Sequence, residues 1–413
     1  MGNVRDLAEK LWTGEKSTAD HNPLTTFAGL EEFGDGLAFL SSFGNVTVLD
    51  TDDGLVMLDT GGFVVAQTIH AQIRGWSDRP VHTALYTHGH ADHVFGVGPF
   101  DAEAAESGGD RPNVIAHEAV AARFERYKLT AGYNSAINSR QFRVPGLKWP
   151  TKYRYPDQTY RDELKLTIGG VDIELFHDKG ETDDHTWAWV PQHKAVCTGD
   201  LFIWASPNCG NPQKVQRFPR EWAIALRKMV ALKPELLFPG HGPPIFGADR
   251  VEQALSETAE LLETVHDQTL GMMNDGKRLD EILQKVEFPA KLLERPYLRP
   301  VYDEPVFIVR NIWRLYGGWY DGNPARLKPP GDATVAKEVA ELSGGVGALA
   351  TRARAVADAG DFALACQLAE WAVQADPQHT EAHKIRSAVY RERSTEETSL
   401  MAKSIYVAAA DDK

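Results

Sequence analysis

Cysteine is scarce in this chain, with three in 413 residues. Cys197, Cys209 and Cys366 are an odd number at uninformative spacings, which gives no disulfide framework and favours a reducing cytoplasm. None of them sits in a context suited to a catalytic thiolate, and no Gly-x-Ser-x-Gly elbow is present to carry a serine nucleophile. No run reaches the roughly 18 consecutive apolar residues that span a bilayer. The opening Met1 to Leu7 lacks a basic stretch followed by an apolar one, so no signal peptide is visible. Positive charge is also short: 44 Lys and Arg stand against 58 Asp and Glu, for a net charge of −14. That balance argues against a nucleic-acid partner, whose phosphates need clustered cations. Hydrophobic residues at 43% and charged residues at 25% describe an ordinary soluble protein, long enough for two or three domains.

What the chain does have is a concentration of histidine. Of its 14 histidines, His88, His90 and His93 fall with Asp92 inside six residues, directly behind the β-prone run Val81 to Tyr86. Imidazole nitrogen and carboxylate oxygen are donors that a borderline Lewis acid such as Zn²⁺ accepts. Crowding them into one turn has little structural use, so the segment reads as a metal site.

The His-x-His-x-Asp-His pattern resembles the signature of the metallo-β-lactamase superfamily of binuclear metal hydrolases. The resemblance implies an α/β fold: an αββα sandwich of two mixed sheets with helices outside and the metals at one edge. It also implies later ligands in a fixed order, each at a strand end. His185 in Gly180 to Thr186, Asp200 after Ala195 to Cys197, and His241 after Leu236 to Phe238 fill those places, while Glu181 stands where the family's loop usually carries its first histidine. Carried over, His88, His90 and His185 hold one Zn²⁺, and Asp92, His93 and His241 the other. Asp200 bridges them, which makes two Zn²⁺ per chain, and Asp92 and Asp200 are the catalytic candidates. Asp59 before Gly61-Gly62 fits the family's aspartate that hydrogen-bonds a ligand histidine, and reads equally well as a turn-initiating residue. Two such ions, roughly 3.5–4 Å apart, share a water as a bridging hydroxide that attacks a bound ester without a side-chain nucleophile.

Along the chain, Asp50 to Gly54 reads as a hairpin turn, and Phe63 to Trp76 and Arg220 to Leu232 as amphipathic helices. Arg123 to Asp162, dense in aromatic and basic residues, reads as a long loop covering the substrate. After Gly247 the character turns helical, with Ala248 to Met273 and Leu279 to Leu293 as two long helices. The expected division is a hydrolase domain over 1–247 and an all-α domain over 248–413. Within the latter, Ala355 to Pro377 resembles a single tetratricopeptide hairpin, which needs a partner surface to bury its apolar face.

The idiosyncratic stretch Tyr302 to Pro324 closely resembles the start of the dimerisation domain of the alkyl sulfatases, and Ala131 to Arg140 resembles their insertion near the active site. This branch implies a homodimer, and a lipid-carrier-like domain would begin where this sequence stops at Lys413. It characteristically carries Glu where this chain has His185 and Asp200, and its Asn and Arg sulfate-binding run is loosely echoed in Asn208 to Arg220. The leading expectation is therefore a dizinc hydrolase of an ester of a hydrophobic alcohol, an alkyl sulfate first. Arg140, Asn211, Arg217 and Arg220 are candidate anion contacts, suited to a tetrahedral oxyanion by the planar arginine fork. Phe95, Trp149 and Trp204 are candidates for lining an alkyl pocket. Hydrolysis of a carboxylic ester, lactone, β-lactam or phosphoester is the alternative, and a partner-binding scaffold with a vestigial metal site is a third.

Overall fold

The computed structural model describes residues 4–22, 28–34 and 36–412. They form two compact units: Met1–Asn134 with Lys148–Gly318, and Ser135–Leu147 with Trp319–Lys413.

The first unit is built on two sheets. One has seven strands in the order β1 (Gly29–Glu32), β2 (Leu37–Ser41), β3 (Val46–Thr51), β4 (Gly54–Leu58), β5 (Val81–Leu85), β6 (Asn113–His117) and β7 (Gln158–Tyr160). The second holds β8 (Glu163–Ile168), β9 (Val171–His177), β10 (Thr186–Val190), β11 (Ala195–Ile203), β12 (Leu236–His241) and β13 (Ile245–Phe246), running in space from β13 to β8. Strands β1 to β4 pair antiparallel and β4 to β7 parallel, while in the second sheet only β11 and β12 are parallel.

The two-residue period of a strand decides the layers. On β4, Val56 and Leu58 face Ile173, Leu175, Ala188 and Phe238 between the sheets, while Leu55 and Met57 face outward into a separate cluster. That outer cluster is completed by α2 (Ala66–Trp76), α3 (Gly98–Ser107) and α4 (Ala119–Leu129) through Ile69, Ile73, Phe100, Val120 and Phe124. Beyond the second sheet, α6 (Pro219–Ala231) and α7 (Ala248–Asn274) close the fourth layer with Trp222, Leu226, Met229, Leu255 and Leu262. The architecture is thus an αββα sandwich followed by an all-helical region. The remaining helices at its margins are α1 (Val4–Thr13), α8 (Leu279–Lys285), α9 (Ala290–Leu293) and α10 (Pro305–Tyr316).

Several expectations need adjusting. The compact units part at Gly318, not at residue 247, because Ile282, Leu292, Ile308 and Ile312 share one apolar core with Trp222 and Val251. The stretch 279–293 forms α8 and α9 rather than one helix; Pro289, which has no N–H to continue a helix, stands between them. Much of 123–162 is helix, the end of α4 and then α5 (Ala131–Phe142), so the expected long loop is confined to 143–157.

The second unit contains α11 (Asp332–Leu342), α12 (Val346–Asp358), α13 (Phe362–Ala375), α14 (Thr380–Glu396) and α15 (Leu400–Asp411). Its core is alanine-rich, with Ala336, Ala340, Ala350, Ala372 and Ala382 closing on Leu349. Asp361 caps α13 by accepting the Leu364 amide, and the pair α12 and α13 makes the hairpin read from Ala355 to Pro377. No helix among the described residues is long and apolar enough to cross a membrane.

Candidate metal centre

Four strands bring their side chains to one place. Asp59 follows β4, the turn Thr87 to His93 follows β5, Asp200 lies within β11, and His241 ends β12. The pairing of β11 with β12 shifts register around Gly199, whose φ of 49° is a left-handed conformation. A Cβ there would stand 2.7 Å from Thr87 Oγ1 and 2.8 Å from His185 Cε1, so glycine lets β11 press against the histidine turn. Gly240 does the same from β12, where a Cβ would meet Asp200 Oδ1 at 2.1 Å.

Two groups of donor atoms result: His88, His90, Glu181 and Asp200, and Asp92, His93 and His241. In the first, Glu181 Oε2 lies 3.1 Å from His90 Nδ1 and 3.5 Å from His88 Nε2, with Asp200 Oδ2 3.8 Å from the same nitrogen. In the second, Asp92 Oδ2 lies 3.6 Å from His93 Nε2 and 3.4 Å from His241 Nε2. Asp200 turns its other oxygen, Oδ1, to His93 and His241 at 3.3 Å each, so one carboxylate faces both groups. Ligands about 2.0–2.2 Å from a tetrahedral ion sit about 3.3–3.6 Å from one another, which is close to the spacing found. His93 Nε2, Glu181 Oε2 and Asp200 Oδ1 are moreover buried without a hydrogen-bond partner among the described residues. Native proteins rarely bury such atoms unsatisfied, and a divalent ion in each group would satisfy them.

The ionisation of the cluster points the same way. Against burial, His93 and His241 hold Asp92 down to about 2, and the same two histidines hold Asp200 well below the ordinary carboxylate range. Burial disfavours imidazolium, yet Asp200 and its neighbouring carboxylates raise His93 and bring His241 up to about 10. The carboxylates of this site demand positive charge.

His185 does not join either group. It stacks on His88 with ring centroids 4.7 Å apart, and its Nε2 accepts the Asp200 amide at 3.2 Å. Burial pushes it down to about 4. The structure gives the expected His185 position to Glu181, the residue in the slot of the family loop's first histidine. The substitution of carboxylate for imidazole in that slot was the available signal.

Asp59 sits behind the second group. Its Oδ1 accepts the Thr87 amide at 2.7 Å, and its Oδ2 accepts the Thr87 hydroxyl at 2.8 Å and faces His93 Nδ1 at 2.7 Å. Protonation of His93 on Nδ1 leaves Nε2 bare toward Asp92 and Asp200. A second support was missed by sequence reasoning. Arg123, brought inward by the α4 stripe of Val120, Arg123, Phe124 and Tyr127, bonds Asp184 Oδ2 from Nε at 2.7 Å and also reaches Asp183. Asp184 in turn accepts the Gly89 amide at 3.1 Å, inside the histidine turn. Against burial, Arg123 holds Asp184 down to about 2. Glu181 is steadied by Asn208 Nδ2 at 2.6 Å and by Arg217, which donates to its carbonyl and lies 3.2 Å from Oε1.

The candidate substrate contacts separate. Trp204 is fully buried, donates to the Pro243 carbonyl at 2.6 Å and packs edge-on to Trp12 and Tyr297, as a core residue does. Arg217 is committed to Glu181, Arg220 is exposed at the start of α6, and Arg140 is exposed on the part of α5 that belongs to the second unit. Asn211 is buried, and its Nδ2 has no hydrogen-bond partner among the described residues. Phe95 lies 5.0 Å from Tyr153, both packed against the outer-layer core, while Trp149 lies 5.3 Å from Tyr127, whose ring stands 6.3 Å from His90. Two further residues feel the charges of the cluster. Lys214 places its Nζ 5.6 Å from the Trp149 ring, and burial with Arg217 beside it pushes the ammonium down to about 8, although Asp92 and Glu181 pull the other way. Tyr302 is buried and held well above the ordinary phenol range by burial and by Asp92, Glu181 and Asp200.

Comparison with known proteins fits this geometry. Residues 41–241 match the model of the metallo-beta-lactamase superfamily. A domain of that superfamily thus occupies these residues. Residues 278–413 match the alkyl sulfatase dimerisation family. The chain is 27% identical over 366 residues to a linear primary-alkylsulfatase of Pseudomonas sp., covering 83% of this chain and 69% of that protein. It is 25% identical over 394 residues to an (R)-specific secondary-alkylsulfatase of Pseudomonas sp., covering 89% and 59%. A solved double mutant of the sec-alkyl sulfatase PisA1 superposes with a TM-score of 0.82 at 25% identity, over 93% of this chain and 65% of that one. The chain thus spans about two thirds of the length of these relatives.

Proposed function

We propose that the protein is a metal-dependent hydrolase that cleaves sulfate esters of hydrophobic alcohols. The observation that carries this reading is the pair of donor groups sharing Asp200, with buried donor atoms that have no hydrogen-bond partner among the described residues. The relatives named above supply the bond: they are alkylsulfatases. The donor set of imidazole and carboxylate suits two Zn²⁺ per chain. When bound, such ions acidify water and neutralise charge on the reacting oxygens.

The chain's own residues do the rest. His88, His90, Glu181 and Asp200 would hold one ion, and Asp92, His93 and His241 the other, with Asp200 turned to both. Asp59 keeps the His93 proton on Nδ1, and the Arg123 and Asp184 pair holds the Gly89 peptide in place. The rings of Tyr127 and Trp149 offer the apolar side along which an alkyl chain would lie, excluding water from the ester. The dimerisation-family match supports a homodimer.

The test is sulfate release from a panel of primary and secondary alkyl sulfates by zinc-loaded protein. Turnover that disappears in His88→Ala, together with near two zinc ions per chain, is the expected result. Turnover no greater than the variant's would refute the reading.

A further inference from the structure

We propose that Asn45 is the positioning residue of His241: from the turn between β2 and β3 it brackets the loop that carries this ligand and fixes the ring through its backbone. The inference rests on the metal-site reading above. A histidine that ligates through one ring nitrogen is ordinarily oriented by a hydrogen bond from the other. His93 has such a bond, between Nδ1 and Asp59 at 2.7 Å. His241 differs. Its Nε2 faces Asp92 at 3.4 Å and Asp200 at 3.3 Å, while its Nδ1 is buried with no hydrogen-bond partner among the described residues. The direction of that ring must therefore be set by the chain on either side of it.

Asn45 grips the chain on both sides. Its Nδ2 donates to the Pro239 carbonyl at 3.0 Å and to the Gly242 carbonyl at 2.8 Å, which flank the Gly240-His241 pair. Its own amide donates to the Gly240 carbonyl at 2.9 Å. The side chain is buried, and its Oδ1 accepts the Ser42 amide at 3.1 Å, which closes the turn and fixes the face it presents. Carbonyl oxygens only accept, so the NH₂ and not the oxygen must point at the loop. The two residues before Asn45 press on the same donor group. A Cβ on Gly44 would stand 1.9 Å from the Asp92 carbonyl oxygen, so only glycine lets the turn seat there. Phe43 meets the His241 ring at an interplanar angle of 69° with centroids 5.4 Å apart. One four-residue turn thus bears on two of the three residues in the second donor group. His93 is held by a hydrogen bond to its ring, and His241 by its backbone and by packing.

Competition with a chromophoric chelator for zinc, on the full chain, tests this apart from turnover. Asn45→Asp turns a carboxylate oxygen toward two carbonyl oxygens; Asn45→Ser removes the donor without adding charge and serves should the first variant fail to fold. Either is expected to weaken one of the two metal sites about tenfold or more and to leave the other within about threefold, in the range seen when a ligand histidine loses its support. Proton spectra of the cobalt-substituted protein give a second readout, because the ring N–H of each ligand histidine has its own shifted signal. The His241 signal, assigned by its loss in His241→Gln, should exchange with water faster in the Asn45 variants, while the His93 N–H held by Asp59 keeps its rate. Both affinities falling alike, or both signals exchanging faster alike, would mean a general loosening of the fold and overturn the assignment. Two affinities within threefold of the parent's would overturn it as well, and a parent that binds no metal removes it together with the hydrolase reading. A parent that shows the expected pattern yet releases sulfate from no alkyl ester refutes the reaction alone. Sulfate release by the parent, with both affinities unchanged in the variants, refutes the role of Asn45 alone.

Discussion

Replacing Asp59 by Asn isolates what one carboxylate does for the second donor group. Asp59 adopts φ 59°, a left-handed conformation that asparagine tolerates better than most residues, so the backbone keeps its shape. The carboxylate accepts from the Thr87 amide and hydroxyl and holds His93 Nδ1 at 2.7 Å, all in a buried setting. With the amide oxygen kept on the Thr87 N–H, the new NH₂ occupies the Oδ2 position and turns a donor toward His93 Nδ1. His93 must then accept there and carry its proton on Nε2, the atom that faces Asp92 and Asp200. A nitrogen bearing a proton cannot ligate, so metal binding must first reverse the tautomer. The loss of a partner behind a ligand histidine typically costs about 10–100-fold in metal affinity, or about 1.4–2.7 kcal/mol. Competition with a chromophoric chelator should therefore show one of two zinc sites weakened by that factor while the other holds. Asp59→Ala should be worse in folding as well, since alanine is strained at positive φ. Two zinc affinities within threefold of the parent in Asp59→Asn would show that Asp59 does not set the tautomer of His93.

Glu181 and His185 give opposite expectations. Glu181→Gln should lose most of one metal equivalent, whereas His185→Gln, whose Nε2 accepts only the Asp200 amide, should retain two; elemental analysis after dialysis reads both, and the reversed pattern would restore His185 to the centre. Asp303 offers a pH test. Burial lifts its carboxyl to about 7, so the contribution it makes to stability is full below about 4, falls as pH rises toward 7, and is flat above. That window is worth up to about 4 kcal/mol at about 1.4 kcal/mol per unit, and Asp303→Asn should flatten it; denaturant midpoints at pH 4.5 and 8 for parent and variant measure the difference, and equal slopes would contradict a raised carboxyl.

Some of this was open to reading in the sequence because it is contiguous. The histidine turn carries its donors within six residues, so spacing alone declares it, and the β5 run ahead of it locates it on a strand end. Glu181 and His185 could not be ranked that way. Both lie in one loop before β10, and only the three-dimensional course of that loop puts a carboxylate between His88 and His90 and turns the imidazole back onto Asp200. Trp204 misled for a related reason: an indole close in sequence to Asp200 reads as a pocket wall until its neighbours Trp12 and Tyr297, far away in the chain, are seen to enclose it. The boundary at Gly318 was hidden because α8 to α10 have the composition of a helical domain, yet their apolar faces close on Trp222 and Val251. Arg123 gave no motif at all, since its role depends on an α4 face meeting a loop some 60 residues later.

That α4 face joins two tasks in one piece of chain. Val120 and Phe124 seal the outer layer of the first sheet, while Arg123 on the same face grips the carboxylate that holds Gly89. Fraying this helix would loosen the outer layer and release the histidine turn together. Variants that weaken this helix are therefore expected to lose heat resistance and metal affinity together.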